Sequence, residues 1–302
     1  MTKELGLSLL AGLASGLLFL SVLAGGGVGA LLVYLTPLPL MVVGLCFGLA
    51  KAAIGAAVGA FLVAGLSLAA VPAYAVLGAG SALLVVQRAL LWRPTADGTI
   101  EWYPPGQVLA WLTGVGLALL VIGMLVLDSG DGGIEAVMRH QVTDFVDRLV
   151  IEASPEIRDA VIGLWSSLLP AVAMTGWLLV GVLNGVLGQA LAQRSGRALR
   201  PTPRYRDADL PAWTGVALCL AIGLALLTGT GDAAYMARNA VMGLMGPYVL
   251  VGLAVVHRFL GGRSQARLWL TLFYVAFVIL FGWAVIAVAG LGLMSFWTRR
   301  RR

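Results

Sequence analysis

Ser15 stands in Leu13-Ala14-Ser15-Gly16, inside an apolar run, where a serine could serve as the nucleophile of an intramembrane hydrolase. That chemistry needs a base within hydrogen-bond reach. The two histidines are badly placed for it: His140 sits in a charged connection and His257 adjoins Arg258 at the end of an apolar segment. The glycine expected two residues before such a serine is also replaced, by Leu13. His140, Asp144 and Asp147 recur at helical spacing and have the side-chain types of metal ligands. One histidine with two carboxylates on a strongly charged helix face reads as solvated surface, since a metal needs ligands that converge. Gly78-Ala79-Gly80-Ser81 has neither the preceding strand nor the following lysine of a phosphate-binding loop, and reads as helix packing. Cys46 and Cys219 lie far apart in apolar segments and read as small buried hydrophobes. No charged pair occupies the middle of a segment, where proton relays and ion-coupled transporters carry theirs. The expectation is a protein with no catalytic set, no metal and no cofactor, and not an enzyme.

What remains is backbone chemistry. Thr36-Pro37-Leu38-Pro39 falls within one apolar segment, Pro170 within another and Pro247 within a third. A proline inside a helix removes a donor and frees the carbonyl four residues earlier, here those of Val33, Leu35, Ser166 and Gly243. In lipid such groups persist only against protein or a watery cavity. Interrupted helices meeting at one depth are how many transporters build a substrate site. The candidate ligand residues are therefore Tyr34, Thr36, Pro37, Pro39, Ser166, Pro170 and Pro247. With so few polar neighbours (Ser81, Thr113, Ser167, Thr175, Asn184), the ligand expected is apolar or carries hydroxyl or amide groups. Asn184 reads as an interhelical hydrogen-bonding group nearer the inner end.

The elements that must position these residues follow from composition. From Leu5 to Gln87 the chain runs 83 residues with a single charged side chain, Lys51. A bilayer needs about 20 apolar residues per helical span, whereas only a very large globule could bury such a run. Over the whole chain 60% of residues are hydrophobic and 11% charged, and the mean hydropathy is +0.95. Soluble domains carry roughly a quarter charged residues. The fold class expected is all-α, a polytopic transmembrane bundle forming a single integral membrane domain over 1–302. Its apolar segments are 5–24, 28–50, 52–70, 72–91, 107–127, 161–190, 212–228, 236–260 and 267–296, which makes eight to nine spans. Residues 5–24 read as a retained first span and not a cleaved leader. In the third segment Ala52, Ala53, Gly55, Ala56, Ala57, Gly59 and Ala60 leave almost no side-chain bulk, which predicts a central helix packed backbone to backbone.

Charge orients the chain. The net charge of +6 is explained by the positive-inside bias and not by nucleic-acid binding. The basic connections 88–106 (Arg88, Arg93) and 191–211 (Arg194, Arg197, Arg200, Arg204, Arg206) are expected to be cytoplasmic, as are the turn at Lys51 and the arginines at 258, 263 and 267. Connection 128–160, with eight acids and three arginines, is expected outside. This orientation puts all three proline sites in the outer half of the membrane. Within 128–160, Ile134, Val137, Met138, Val142, Phe145, Val146 and Leu149 recur at three- and four-residue steps opposite Glu135, Arg139, Asp144, Asp147 and Arg148. That pattern predicts an external amphipathic helix lying along the interface. Ser154-Pro155 then predicts the capped start of the next helix. The last segment, 30 residues, would be about 45 Å long as a straight helix, more than one hydrocarbon core and less than two. A break near Gly282 would return the tail Arg299–Arg302 to the cytoplasm.

The order of features resembles the YybS-like family of uncharacterised bacterial membrane proteins. The resemblance rests on the glycine-rich entry Gly25–Gly29 leading into Leu35-Thr36-Pro37-Leu38-Pro39-Leu40, the small-residue helix after Lys51, and Gly290-Leu291-Gly292-Leu293 to Phe296-Trp297 before the closing arginines. That family is similar to the substrate-binding S components of energy-coupling factor transporters. The resemblance implies location in the bacterial cytoplasmic membrane, capture of a small-molecule ligand from outside, and partners in a coupling membrane subunit and ATPases. It also implies a small-residue docking surface on the first helix, carried by Ala11, Gly12, Ser15 and Gly16. The chain departs from S components in its eight or nine segments, against about six, and in its acidic external helix. Two functional expectations stand together. One is an S-component-like protein that binds a weakly charged or lipidic solute; the other is a non-transporting accessory protein of another membrane complex.

Overall fold

The computed structural model describes residues 2–24, 26–127, 132–148 and 154–300. Long runs of leucine, valine, alanine and glycine can satisfy their own backbone in lipid only as helices. Helices follow in order: α1 (Thr2–Leu20), α2 (Gly26–Leu32), α3 (Leu38–Phe47), α4 (Leu49–Leu66), α5 (Val71–Tyr74), α6 (Ser81–Ala89), α7 (Pro105–Val126), α8 (Gly133–Arg148), α9 (Pro155–Arg194), α10 (Ala212–Thr228), α11 (Asp232–Gly261), α12 (Ala266–Ile279) and α13 (Phe281–Arg300). Among the described residues, eight helical stretches are long and apolar enough to cross a bilayer: 2–23, 27–47, 49–66, 68–89, 105–126, 155–194, 232–261 and 281–299. The chain is an all-α polytopic membrane bundle. α10 and α12 are shorter, at 17 and 14 residues.

Contacts divide the chain into two units, the first formed by Met1–Leu112 with Trp177–Tyr205 and the second by Thr113–Gly176 with Arg206–Arg302. In the first, α1 and α4 cross with glycine against glycine. A Cβ on Gly12 would overlap the Gly55 carbonyl oxygen, and one on Gly16 would lie 3.2 Å from that of Gly59. Small residues thus let two backbones touch where lipid offers no hydrophobic gain between helices. Only one stripe of α4 is used, Ala52, Gly55, Ala56, Gly59 and Val63, while Ala53 and Ala57 are exposed. The expectation of a wholly central helix is corrected to a half-buried one. Lys51 lies inside α4 and pairs with Glu4 at 3.7 Å. The turn expected at Lys51 is made instead by Gly48, whose φ of +92° favours glycine.

Connection 88–106 holds a structure that helical periodicity did not announce. β1 (Trp92–Pro94) and β2 (Ile100–Trp102) form an antiparallel hairpin pairing Trp92 with Trp102 and Arg93 with Glu101. Its turn passes through Gly98 at φ +80°. Arg93 Nε donates to Glu101 Oε2 at 2.7 Å, which keeps that arginine's pKa high. Asp97 accepts hydrogen bonds from Thr95 and Thr99, which hold its carboxyl below the usual range.

In the second unit α11 packs on α10 and α13 through further glycine contacts. A Cβ on Gly252 would overlap Val288 O, and one on Gly292 would overlap Tyr248 O. α8 is the amphipathic helix expected: it buries Ile134, Met138 and Val142 and touches α11, where Asp232 Oδ1 accepts from Ile134 N–H at 2.7 Å. Phe145, expected on its apolar face, is exposed, and Leu149 lies outside the described residues. Glu135 pairs with Arg238, and Asp147 with Arg158. Ser154 Oγ accepts from Ile157 N–H at 3.4 Å, capping α9 ahead of Pro155 in its first turn. The final segment breaks at Leu280, between α12 and α13, two residues before Gly282.

Two expected interruptions are absent. Pro170 lies inside the 40-residue α9 and Pro247 inside the 30-residue α11, and both helices continue through. For Pro170 the reason is visible. The Ser166 carbonyl, deprived of its helical donor, accepts from Tyr235 OH at 2.5 Å. Asn239 Oδ1 accepts from Ala171 N–H at 3.0 Å and its Nδ2 donates to Ser167 O at 3.2 Å. Side chains of α11 splice the ladder of α9.

Candidate functional site

The interruption at Thr36 is real. With prolines at 37 and 39 the helix gives way after Leu32 to a 3₁₀ turn over Val33–Leu35, and α3 restarts at Leu38. Thr36 repairs part of the damage locally, donating from its N–H (3.2 Å) and its Oγ1 (2.6 Å) to the freed carbonyl of Val33. Two further carbonyls of the break are met from other helices. Ser15 Oγ of α1 donates to Thr36 O at 2.8 Å, and Asn184 Nδ2 of α9 donates to Tyr34 O at 2.8 Å.

A second irregular segment faces this break. After Tyr74 the backbone opens into a π-helical turn, Ala75–Gly80, before α6 resumes. Such turns leave carbonyls off the regular ladder and recur at functional positions. Here Val76 O accepts from Trp177 Nε1 at 3.3 Å. Gly78 brings the two irregular segments together, since a Cβ on it would lie 2.6 Å from Thr36 Cγ2. Tyr74 is wholly buried, edge-on to Phe19 with ring centroids 5.4 Å apart, and its hydroxyl lies 3.0 Å from Ser15 Oγ. Ser15 has one proton, already given to Thr36 O, so Tyr74 donates to Ser15. Gly59 is required beneath it, because a Cβ there would overlap the phenol oxygen.

One group in this centre is left open. Asn184 is 2% exposed; both Nδ2 hydrogens are used, on Tyr34 O and on Val180 O at 2.8 Å each, and its Oδ1 is enclosed without a partner among the described residues. Turning the amide over would set Oδ1 against two carbonyl oxygens, so the network fixes its orientation. A buried acceptor without a donor costs about 1–3 kcal/mol. That oxygen is able to accept from a hydroxyl, amine or amide N–H. Its members Ser15, Thr36, Tyr74, Trp177 and Asn184 include no carboxylate and no amine cation.

The sequence candidates divide between the units. Thr36 and Pro37 are buried at the first unit's centre, Pro39 is half-buried, and the Tyr34 side chain is exposed while its carbonyl takes part. Ser166, Pro170 and Pro247 belong to the second unit, with Ser166 and Pro247 buried and Pro170 half-buried. Gly12 and Gly16, read with Ser15 as a docking surface for a partner, are buried against α4 of the same chain, Ser15 is buried on Thr36 O and Tyr74 OH, and Ala11 is half-buried beside them. That face is filled from within because Gly55 and Gly59 offer it matching hollows. Tyr74, Tyr235 and Asn239 were not singled out by the sequence. Glycines at 59 and 78 around a lone in-span tyrosine, and Tyr235 and Asn239 four residues apart on one helix face, are the signals that carry them. Among the described residues no three His, Cys, Asp or Glu side chains gather as metal ligands; His140 contacts Asp144 alone, at 3.8 Å.

Comparison with curated proteins and with solved structures found no match. Residues 13–294 match the family model described as a predicted membrane protein (DUF2232), and the chain belongs to that family.

Proposed function

We propose that the chain binds a small, weakly charged or lipidic solute bearing a hydrogen-bond donor, taken from the outer side, at the centre framed by Thr36, Tyr74 and Asn184. The observation that carries this reading is the enclosed, unpartnered Asn184 Oδ1 beside two irregular helices. Interrupted helices supply carbonyls at fixed positions, and an acceptor already desolvated gives a donor-bearing ligand its advantage over water. Import would follow by handing the solute to separate energising subunits, since the sequence contains no phosphate-binding loop. A coupling subunit would meet α1 on its exposed leucine face, Leu10, Leu13 and Leu17, because Gly12 and Gly16 are turned into α4 and Ser15 toward Thr36 and Tyr74.

Native mass spectrometry of the gently extracted protein tests the reading. One small solute bound in a 1:1 ratio, with a coupling subunit and ATPases in the larger species, is the expected result. Recovery with an unrelated membrane complex and no solute would replace it with the accessory role.

A further inference from the structure

The basic end of the first unit holds two guanidinium groups that have no carboxylate partner among the described residues. Arg200 is 5% exposed. Its Nη1 donates to Ala89 O at 2.7 Å and its Nε to Pro201 O at 3.4 Å, and the guanidinium lies 5.5 Å from the Trp102 ring centroid. Gln189 and Gln193 both donate to its own carbonyl, at 3.0 and 2.8 Å, so residue 200 is held in place from α9. Burial pulls the pKa of Arg200 down and pushes that of Tyr205 up. Next to Ala89, the Arg88 guanidinium stacks 3.8 Å over Trp111, whose Nε1 donates to Tyr103 OH at 3.0 Å. Arg88 Nε is enclosed without an acceptor among the described residues.

Other charges nearby do not neutralise the pair. Glu101 is committed to Arg93, and Arg197, over Phe47, adds a third cation. Among the described residues none of Arg88, Arg197 and Arg200 has an Asp or Glu oxygen within 4.0 Å. Uncompensated buried cations are costly and call for an anion. Planar guanidinium groups with donors to spare are phosphate binders, and basic pockets between spans bind anionic headgroups. Depth favours a lipid as the source. Trp111 lies under Arg88 and Trp102 beside Arg200, with Tyr103 bonded to Trp111 and Trp92 paired with Trp102, and tryptophan and tyrosine mark the headgroup level of a bilayer.

We propose that Arg88 and Arg200, framed by Trp102 and Trp111, form a site for the phosphate of an anionic lipid headgroup on the leaflet that the basic connections identify as cytoplasmic. The site is independent of the solute centre and stands if that centre proves empty.

The test is lipid binding to the delipidated full chain, read by native mass spectrometry with phosphatidylglycerol against phosphatidylcholine. Wild type should prefer phosphatidylglycerol by about tenfold or more, and Arg88→Gln should weaken that lipid by about fivefold, the scale of one basic contact at a charged interface. Arg88→Lys, which keeps charge but not the flat stack, should fall between them. Because Arg200 also holds α6, the exposed Arg197→Gln serves as the second variant, with about a twofold loss expected. Equal binding of the two lipids by wild type, or undiminished preference in a normally folded Arg88→Gln, would overturn the site. Displacement of phosphatidylglycerol by millimolar inorganic phosphate would overturn the lipid as its occupant in favour of a soluble phosphate compound.

Discussion

The prolines of Thr36–Pro39 and Pro170 begin from the same chemistry and end differently. Each proline removes an N–H and strands a carbonyl. Around Pro170, Tyr235 and Asn239 supply both a donor and an acceptor, so α9 continues and nothing is left over. Around Thr36, two prolines in three residues exceed such repair. The helix parts, and the side chain that mends Tyr34 O leaves its own oxygen open. Under the proposed function, the proline break that carries a site is the one whose repairing group, Asn184, has capacity left, which Asn239 has not.

The comparison breaks most visibly at Asn239. Asn239→Leu removes the side-chain partners of Ala171 N–H and Ser167 O, with an expected loss of about 1–3 kcal/mol in detergent unfolding. Binding at the Thr36 centre should be unaffected; an unchanged unfolding curve would show that α9 does not depend on the splice. Gly12→Val comes next, since the added bulk meets the Gly55 backbone. About 1–3 kcal/mol of destabilisation is expected from overpacking, measured the same way, and it should loosen the α1 serine from the break. Ser15→Ala removes the bonds to Thr36 O and Tyr74 and should cost about 1 kcal/mol, read by thermal unfolding. The smallest effect belongs to Pro170→Ala. The new N–H competes with Tyr235 for Ser166 O, and a change within about 0.5 kcal/mol is expected; a large gain in stability would mean that the repair is incomplete after all.

Much of this architecture is legible in the amino-acid order because lipid permits so few alternatives. Apolar length marks the spans, the three- and four-residue steps from Ile134 mark α8, and Ser154-Pro155 marks the start of α9. The break in the final segment follows from its length. The hairpin at 92–102 is not legible: two strands of three residues carry no usable period, and their tryptophans read equally as interfacial anchors. The repair of Pro170 is hidden for another reason, since Tyr235 and Asn239 lie roughly 70 residues from the groups they satisfy. Small residues on α1 predict close packing but not its partner, and Gly55 with Gly59 supplies that partner from the same chain. Asn184 was legible as a hydrogen-bonding group, whereas its unpartnered oxygen depends on the arrangement of three helices.

The most direct measurement compares native mass spectra of wild type and Asn184→Leu, extracted identically and matched for thermal unfolding. The leucine removes the open acceptor and the bond to Tyr34 O together. A solute retained by wild type and lost from the folded variant is the result expected of a ligand site at this asparagine. A solute retained equally by both proteins, or by neither, would contradict it.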